Sequence, residues 1–213
     1  MYRKFFKRFL DIVLSGCALI VLSPVLLLLT VFGAIAMGGN PFFVQPRPGR
    51  KDKDGQERIF NLVKFRSMSN KKDRDGNLLP DDQRLSKYGK LLRATSLDEL
   101  PELWNIFVGD MSICGPRPLL VSYLPRYTPE QRRRHDVRPG LTGLAQVNGR
   151  NALTWEDKFR LDVEYVDNIS FLGDVKIILD TVKTVLKHEG ISSETSVTME
   201  EFKGTQLEQA DHV

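Results

Sequence analysis

Residues 12–37 form the run IVLSGCALIVLSPVLLLLTVFGAIAM, which contains no charged side chain. A straight α-helix of this length would extend about 39 Å, enough to cross a hydrocarbon core of ~30 Å. Ser23 and Pro24 lie near the middle and divide the run into pieces of ~18 and ~21 Å, each too short to cross alone. The run therefore predicts helical structure that is broken at Ser23-Pro24.

Basic residues flank this run on both sides: Arg3, Lys4, Lys7 and Arg8 before it, and Arg47, Arg50, Lys51 and Lys53 after it. A spanning helix normally carries most of its basic residues on one side. Two interpretations follow. One is a spanning helix kinked at Pro24; the other is a bent, re-entrant helix in one leaflet, with both ends on the same face. The run is too long for a cleavable signal peptide.

The net charge of +4 is unevenly distributed. Residues 189–213 carry six acidic residues and one lysine, a charge of −5, which leaves +9 for residues 1–188. A basic protein of this kind binds anionic partners such as a nucleotide, a phospholipid, a lipid phosphate or nucleic acid. The two cysteines, Cys17 and Cys114, provide neither a disulfide framework nor a metal-ligand spacing.

An Asp54-Gly55 pair between the apolar-rich runs 43–51 and 57–68 predicts a β-hairpin. Alternation along the second strand places Lys64 and Arg66 on one face, where they either bind an anion together or line a solvated strand edge. Helical patterns cover residues 154–166 and 172–188.

The predicted fold is α+β and mostly helical. It has a helical segment over residues 1–40, a compact domain with a small hairpin over 41–188, and an acidic, flexible tail over 189–213.

The stretch from Ser96 to Asn105, SLDELPELWN, contains adjacent carboxylates at Asp98 and Glu99. Ser96 and Glu99 fit a capping box, and a helix start holds anions and keeps nearby carboxylates ionised. An ionised aspartate can attack phosphorus. The alternative is that both acids only cap a helix. Pro101 also fits the first helical position.

Three arginine motifs follow this pair. Pro116 and Pro118 flank Arg117 in a stiff loop, which can fix a guanidinium against a phosphate. Arg138 precedes Pro139-Gly140, and we expect the glycines here to let the backbone approach a ligand closely. Asn148-Gly149-Arg150 adds a third arginine. The chain contains no Walker loop, Rossmann glycine fingerprint, zinc ligand set or Ser-His-Asp signature.

Taken in order, these motifs closely resemble the bacterial sugar transferase family, specifically its small monotopic phosphoglycosyl transferases. The resemblance covers about residues 1–188, with no departure at a motif position. The matching segments are KRFLD (7–11), Ser23-Pro24, QPRPG (45–49), KFRSM (64–68), TSLDELP (95–101), GDMS (109–112), GPRP (115–118), RPGLTG (138–143) and DVEYV (162–166).

The resemblance implies transfer of a sugar-1-phosphate from a UDP-sugar to undecaprenyl phosphate, with release of UMP and with Mg²⁺. It implies a re-entrant helix broken at Ser23-Pro24, which places the protein at the cytoplasmic face of the bacterial inner membrane. The reaction would be the first membrane step of glycoconjugate assembly, as in exopolysaccharide or lipopolysaccharide, with downstream glycosyltransferases as further partners. Without an added N-terminal membrane domain, the chain looks like the minimal catalytic form.

By this resemblance Asp98 is the nucleophile of a two-step reaction and Glu99 is the second catalytic residue. Mg²⁺ is held by Asp98 or Glu99 together with phosphate oxygens. The candidate substrate-binding residues, chosen for the chemistry of phosphate and nucleotide binding, are Lys64, Arg66, Pro116, Arg117, Pro118, Arg138 and Arg150.

Two other hypotheses remain at this stage. A membrane-anchored basic protein that binds anionic lipid or nucleic acid without catalysis would account for the charge and the apolar run, but not for Asp98 and Glu99 within a basic region. In a one-step transferase, Asp98 would serve only as a metal ligand.

Overall fold

The computed structural model describes residues 1–149, 152–187 and 201–205. The helices are α1 (Lys7–Val21), α2 (Ser23–Met37), α3 (Asp81–Arg84), α4 (Lys87–Ala94), α5 (Glu102–Val108), α6 (Leu144–Val147), α7 (Trp155–Asp167) and α8 (Phe171–Lys187). The strands are β1 (Phe42–Lys51), β2 (Glu57–Phe65), β3 (Ser112–Cys114) and β4 (Gly140–Thr142). A π-helical turn covers Tyr2–Phe6, and 3₁₀ turns cover Leu97–Glu99, Val121–Arg126 and Gln131–Asp136.

β1 and β2 form an antiparallel hairpin in which Phe42 lies opposite Phe65. Its turn contains Gly55 at a φ of +77°, a backbone conformation that favours glycine. The hairpin confirms the prediction from Asp54-Gly55, but β2 ends at Phe65 rather than at residue 68 because β1 begins only at Phe42. β3 and β4 pair in parallel, and these strands were not predicted. The fold is mostly helical with a small sheet portion, as expected.

α1 and α2 meet at Leu22 with a bend of 63°. Pro24 has no N–H to donate to the carbonyl of Ile20, and Ser23 Oγ donates to that oxygen at 2.7 Å instead. Leu22 leaves the helical conformation, with φ −87° and ψ 0°, and Ser23 already begins α2. The helix break thus lies one residue before the expected Ser23-Pro24. Within the described ranges no single helix is long and apolar enough to cross a membrane. The bent pair together meets that criterion of length and composition.

α1 is attached to the rest of the protein by polar contacts. The buried Asp11 carboxylate accepts hydrogen bonds from Ser112 Oγ at 3.1 Å and from the Ile113 N–H at 2.9 Å. Arg8 donates to the carbonyls of Ile106 and Phe107 at the end of α5, where a cation complements the helix dipole. The basic residues before the apolar run thus include structural ones, which weakens the charge-symmetry argument for membrane topology.

α2 also remains in contact with the same domain. Tyr88 on α4 donates from its hydroxyl to the Leu29 carbonyl at 3.0 Å, and Gly33 packs against Pro41 and Tyr88. At the bend, Leu22 packs against the core formed by β2 and α5. The opposite faces of the two helices expose large apolar side chains, including Ile20, Val21, Leu27, Val31, Phe32 and Ile35.

The last described segment, residues 201–205, differs from the expectation of a flexible tail. Phe202 is 1% exposed and packs in an aromatic cluster with Tyr123, Tyr127, Trp155 and Phe159. The rest of the predicted tail lies outside the described residues.

Candidate active site

Asp98 and Glu99 lie in the 3₁₀ turn that precedes α5, not in the first turn of a helix capped by Ser96. Ser96 adopts a φ of +56° and makes no side-chain capping hydrogen bond. Pro101 occupies the position before Glu102, where α5 begins, so the proline rather than the serine sets the helix start. The predicted capping box is therefore wrong. The left-handed backbone at a serine marks a locally strained turn.

The Glu99 carboxylate is held by two cations. Lys64 Nζ lies 2.9 Å and Arg117 Nη2 lies 2.6 Å from the same oxygen, Oε1. Burial alone would raise the pKa of the Glu99 carboxyl. The charges of Arg117 and Lys64 and their hydrogen bonds outweigh that effect and hold the pKa well below its usual range. Glu99 is therefore ionised, and the hydrogen bonds from both cations go to Oε1 rather than to its second oxygen, Oε2.

Glu102, which the sequence analysis did not single out, contacts the same lysine. Its Oε1 lies 2.9 Å from Lys64 Nζ, and its side chain is only 3% exposed. Burial raises the pKa of the Glu102 carboxyl, and the neighbouring Glu99 charge raises it further against the opposing charge of Lys64. The spacing of three residues between Glu99 and Glu102, which puts both on one side of a helical turn, is the only sequence signal for this arrangement.

The Asp98 carboxylate differs from both glutamates. Among the described residues it makes no hydrogen bond and no ion pair. Burial and the Glu99 charge raise the pKa of the Asp98 carboxyl, against the charges of Lys64, Arg117 and Arg93. The expectation that a helix start keeps both acids ionised is thus corrected, because cations hold the charge of Glu99 and no helix end does so for Asp98. Asp98 is left as an unpaired carboxylate in cationic surroundings.

Arg117 is positioned by the packing of two glycine-containing motifs. A Cβ atom on Gly140 would lie 2.1 Å from the Gly115 nitrogen, so only glycine permits this contact. The Gly140 N–H donates to the carbonyl of Pro116 at 2.9 Å. The glycines of these motifs therefore allow β3 and β4 to approach each other, and the expected approach of a ligand to this backbone stays a prediction. Pro116 and Pro118 are buried on either side of Arg117.

Arg47 is, after Glu102, another residue of this site that was not predicted to bind or to catalyse. Its Nη1 donates to the Pro118 carbonyl at 3.4 Å and its Nη2 to Gln45 Oε1 at 2.6 Å. Burial and the Arg117 charge lower the pKa of Arg47 to about 10. Arg47 therefore adds positive charge beside the loop that carries Arg117.

The remaining predicted substrate-binding residues are Arg66, Arg138 and Arg150. Arg138 Nε donates to the Gly109 carbonyl at 2.8 Å, at the opposite end of α5 from Glu102. It lines a groove of about 410 Å³ with other basic residues such as Arg50 and Arg58. Arg66 is partly buried just after β2, and its backbone N–H donates to the Pro41 carbonyl. Arg150 lies outside the described residues.

Comparison with known proteins gives the context for this site. The family model described as "Bacterial sugar transferase" matches residues 2–188. The chain belongs to the bacterial sugar transferase family. It is therefore a transferase, and the hypothesis of a binding protein without catalysis does not fit this membership.

Three relatives of this sugar transferase illustrate the match. An uncharacterized sugar transferase, EpsL, of Bacillus subtilis is 49% identical over 199 residues, which cover 93% of this chain and 96% of the relative. The undecaprenyl-phosphate galactose phosphotransferase of Salmonella typhimurium is 35% identical, covering 88% of this chain and 42% of the relative. The UDP-glucose:undecaprenyl-phosphate glucose-1-phosphate transferase of Klebsiella pneumoniae is 38% identical, covering 83% and 39%. The chain thus spans about two fifths of the last two relatives.

The site of this sugar transferase offers a limited set of ligands to the Mg²⁺ that the resemblance implies. No group of three His, Cys, Asp or Glu side chains in the part of the chain described is arranged to hold a metal ion. Mg²⁺, however, commonly uses one or two carboxylates together with substrate phosphates and water. The unpaired Asp98 carboxylate and Glu99 Oε2 fit that requirement.

Proposed function

We propose that the protein transfers a sugar-1-phosphate from a UDP-sugar to undecaprenyl phosphate in two steps, with release of UMP. Two relatives whose names specify undecaprenyl-phosphate sugar phosphotransferases support this activity. The observation that carries the proposal is that the two adjacent acids, Asp98 and Glu99, differ in their contacts. Glu99 is paired with Lys64 and Arg117, whereas Asp98 has no pairing partner in the described structure. Asp98 is therefore the carboxylate free to act as nucleophile.

In the first step an Asp98 oxygen forms a bond to the sugar-bearing phosphorus, and the bond from that phosphorus to the bridging oxygen breaks, releasing UMP. In the second step a phosphate oxygen of undecaprenyl phosphate bonds to the same phosphorus, and the bond to Asp98 breaks. Phosphoryl transfer requires positioning and charge neutralisation above all. Lys64 and Arg117, which pair with Glu99, supply positive charge next to the attacking Asp98 carboxylate, and Arg47 adds a third cation beside Arg117.

For Mg²⁺ we propose Asp98 and Glu99 Oε2 as the protein ligands. When bound, the ion would neutralise part of the diphosphate charge. A single carboxylate pair suits an ion that retains water and phosphate ligands.

We propose that α1 and α2 form a re-entrant anchor in one leaflet, on the cytoplasmic face of the bacterial inner membrane. Both helices contact the same domain, α1 through Arg8 and Asp11 and α2 through Leu29 and Gly33. A spanning helix would have to leave that domain. The exposed apolar faces supply the surface that lipid would cover.

The proposal is tested with the purified protein in detergent, Mg²⁺, undecaprenyl phosphate and a panel of UDP-sugars. We expect catalytic UMP release with at least one sugar, and a lipid-linked sugar phosphate as the second product. Omission of the lipid should limit UMP to about one equivalent per enzyme. Absence of UMP release with every UDP-sugar tested would overturn the proposed donor class.

A further inference from the structure

The segment 201–205 lies against the body of the protein through side-chain and backbone contacts. The ring centroid of Phe202 lies 5.0 Å from the ring centroid of Phe159, 5.7 Å from that of Tyr123 and 5.8 Å from that of Tyr127. Arg126 donates to the Phe202 carbonyl and pairs with Glu201 at 2.7 Å.

The end of this segment is held as well. Gln131 Nε2 donates to Thr205 Oγ1 at 2.6 Å. Gly204 adopts a φ of +107°, a conformation that glycine adopts readily. The segment therefore follows a defined path across the protein.

Two rings of the aromatic cluster connect Phe202 to the active site. The Arg134 guanidinium lies 5.8 Å from the Tyr127 ring and 5.6 Å from the Phe159 ring. Arg134 is buried, pairs with Asp162 at 2.7 Å, and donates to the backbone carbonyl of Arg117 at 2.8 Å. A continuous set of contacts thus runs from Phe202 through two rings and Arg134 to Arg117.

This arrangement lies partly outside the family match, which ends at residue 188, before the segment begins. The residues that receive Phe202 all lie within the matched region. An additional C-terminal segment therefore supplies the last ring of a cluster that supports the active site.

We propose that Phe202 is a positioning residue: segment 201–205 closes the aromatic cluster around Arg134 and thereby fixes Arg117 against Glu99. Without the Phe202 ring, a cavity opens next to Tyr127 and Phe159, and these rings no longer confine Arg134. The loop bearing Arg117 then loses a fixed donor at its backbone. Small displacements of positioning groups reduce turnover strongly. The inference rests on the proposed role of Arg117 in the transfer reaction.

The first test compares Phe202→Ala with Phe202→Leu and with Lys203→Ala. Lys203 is the adjacent residue and its side chain is exposed, so it is a matched control. We expect Phe202→Ala to lower kcat/KM for the UDP-sugar about tenfold while KM for undecaprenyl phosphate stays unchanged. Phe202→Leu should restore most of the loss, and Lys203→Ala should match the wild type. Wild-type kinetics in Phe202→Ala would overturn the proposal.

The second test separates positioning of Arg117 from a general structural role. In an Arg117→Ala background, Phe202→Ala should change kcat/KM less than about twofold, because the residue it positions is gone. An equal fold-loss in both backgrounds would show that Phe202 only stabilises the fold, and would overturn the proposal.

A third readout does not depend on turnover. Phenylglyoxal modifies arginine side chains, and peptide mass spectrometry can follow Arg117 alone. We expect faster modification of Arg117 in Phe202→Ala than in the wild type or in Lys203→Ala. If the wild-type protein releases no UMP but this difference is found, the proposed function fails and the positioning role stands. An unchanged modification rate would overturn the positioning role.

Discussion

Lys64 Nζ lies 2.9 Å from Oε1 of Glu102, a carboxylate that is almost completely buried. Lys64→Ala would leave Glu102 without its cation, so the variant should lose stability as well as activity. We expect the free energy of unfolding in detergent to fall by about 3 kcal/mol at pH 8. The loss should be smaller at pH 6, where the unpaired carboxyl takes up a proton.

The double variant Lys64→Ala/Glu102→Gln provides the control for this prediction. Removing the buried charge should restore most of the stability but not the UMP release, since one of the two cations that hold Glu99 is still missing. Recovery of activity together with stability would show that Lys64 serves the fold only.

Arg117→Ala should raise KM for the UDP-sugar, lower kcat, or both. The variant loses a charge-assisted contact worth about 1.5–3 kcal/mol, or roughly 10- to 150-fold in kcat/KM. Steady-state UMP release measures the effect, with Arg160→Ala as a matched control, because Arg160 is exposed on α7 and, in the part of the chain that the structure describes, pairs with neighbours on its own helix. Unchanged kinetics for Arg117→Ala would remove this arginine from the proposed site.

Asp98→Asn should abolish turnover while folding and membrane association are retained, because an amide is a poor nucleophile and a poor metal ligand. In the wild type, incubation with UDP-sugar and Mg²⁺ but no lipid should give a covalent adduct of one sugar phosphate. Peptide mass spectrometry should locate this adduct on Asp98. Asp136→Asn, which alters a partly exposed acid paired with Lys51, serves as the control and should remain active.

Release of UMP only after the lipid is added, with no adduct on rapid quench, would favour the one-step mechanism. Asp98 would then be a metal ligand alone.

Membrane topology is tested by cysteine labelling in a Cys17→Ala background, since Cys17 is exposed and Cys114 is buried. Lys4→Cys and Gly39→Cys introduce thiols at exposed positions on either side of the bent pair. Both should react with an impermeant maleimide from the cytoplasmic side only. Labelling from opposite sides would exclude a re-entrant anchor. Pro24→Ala should straighten the pair and favour spanning, because the kink loses its cause.

His135 predicts a pH dependence of stability. It is buried, one ring nitrogen lies 3.1 Å from the Gly49 carbonyl, and burial lowers its pKa from 6.5 to about 3. Between these values the unfolded chain binds a proton that the folded chain does not, so stability is lost as the pH falls from 6.5 towards 3. His135→Asn should flatten this slope by up to ~1.4 kcal/mol per pH unit between pH 6 and pH 4. Identical slopes in chemical unfolding of both proteins would contradict the assignment.

The features that the sequence predicted well depend on local chemistry. Asp54-Gly55 specifies a tight turn, Pro24 removes one backbone donor, and Thr154 caps α7 by accepting from the Asp157 N–H. In each case the residues involved lie within a few positions of one another. The hairpin, the helix break and the start of α7 were therefore predictable.

The features that were missed depend on contacts between distant segments. Lys64 meets Glu102 only because β2 packs against α5, and Ser96 does not cap a helix because its turn is fixed by the chain around it. β3 and β4 have only three residues each, too few to show a periodic pattern. The adjacent acids Asp98 and Glu99 could be identified from the sequence, but the contacts of each acid could be identified only from the fold.

The contacts between α1 and the rest of the protein also determine where the chain can be shortened. The predicted boundary at residue 40 separates an anchor from a domain, yet Lys7 pairs with Asp174 on α8 at 2.6 Å, and Asp11 satisfies donors on β3. A protein that began at residue 41 would lose the lysine that pairs with Asp174, leave the Ser112 hydroxyl and the Ile113 N–H without the Asp11 acceptor, and expose the core that Leu22 covers. A water-soluble version would therefore have to keep α1 and α2 and replace their outward-facing apolar side chains, such as Ile20, Phe32 and Ile35, with polar ones.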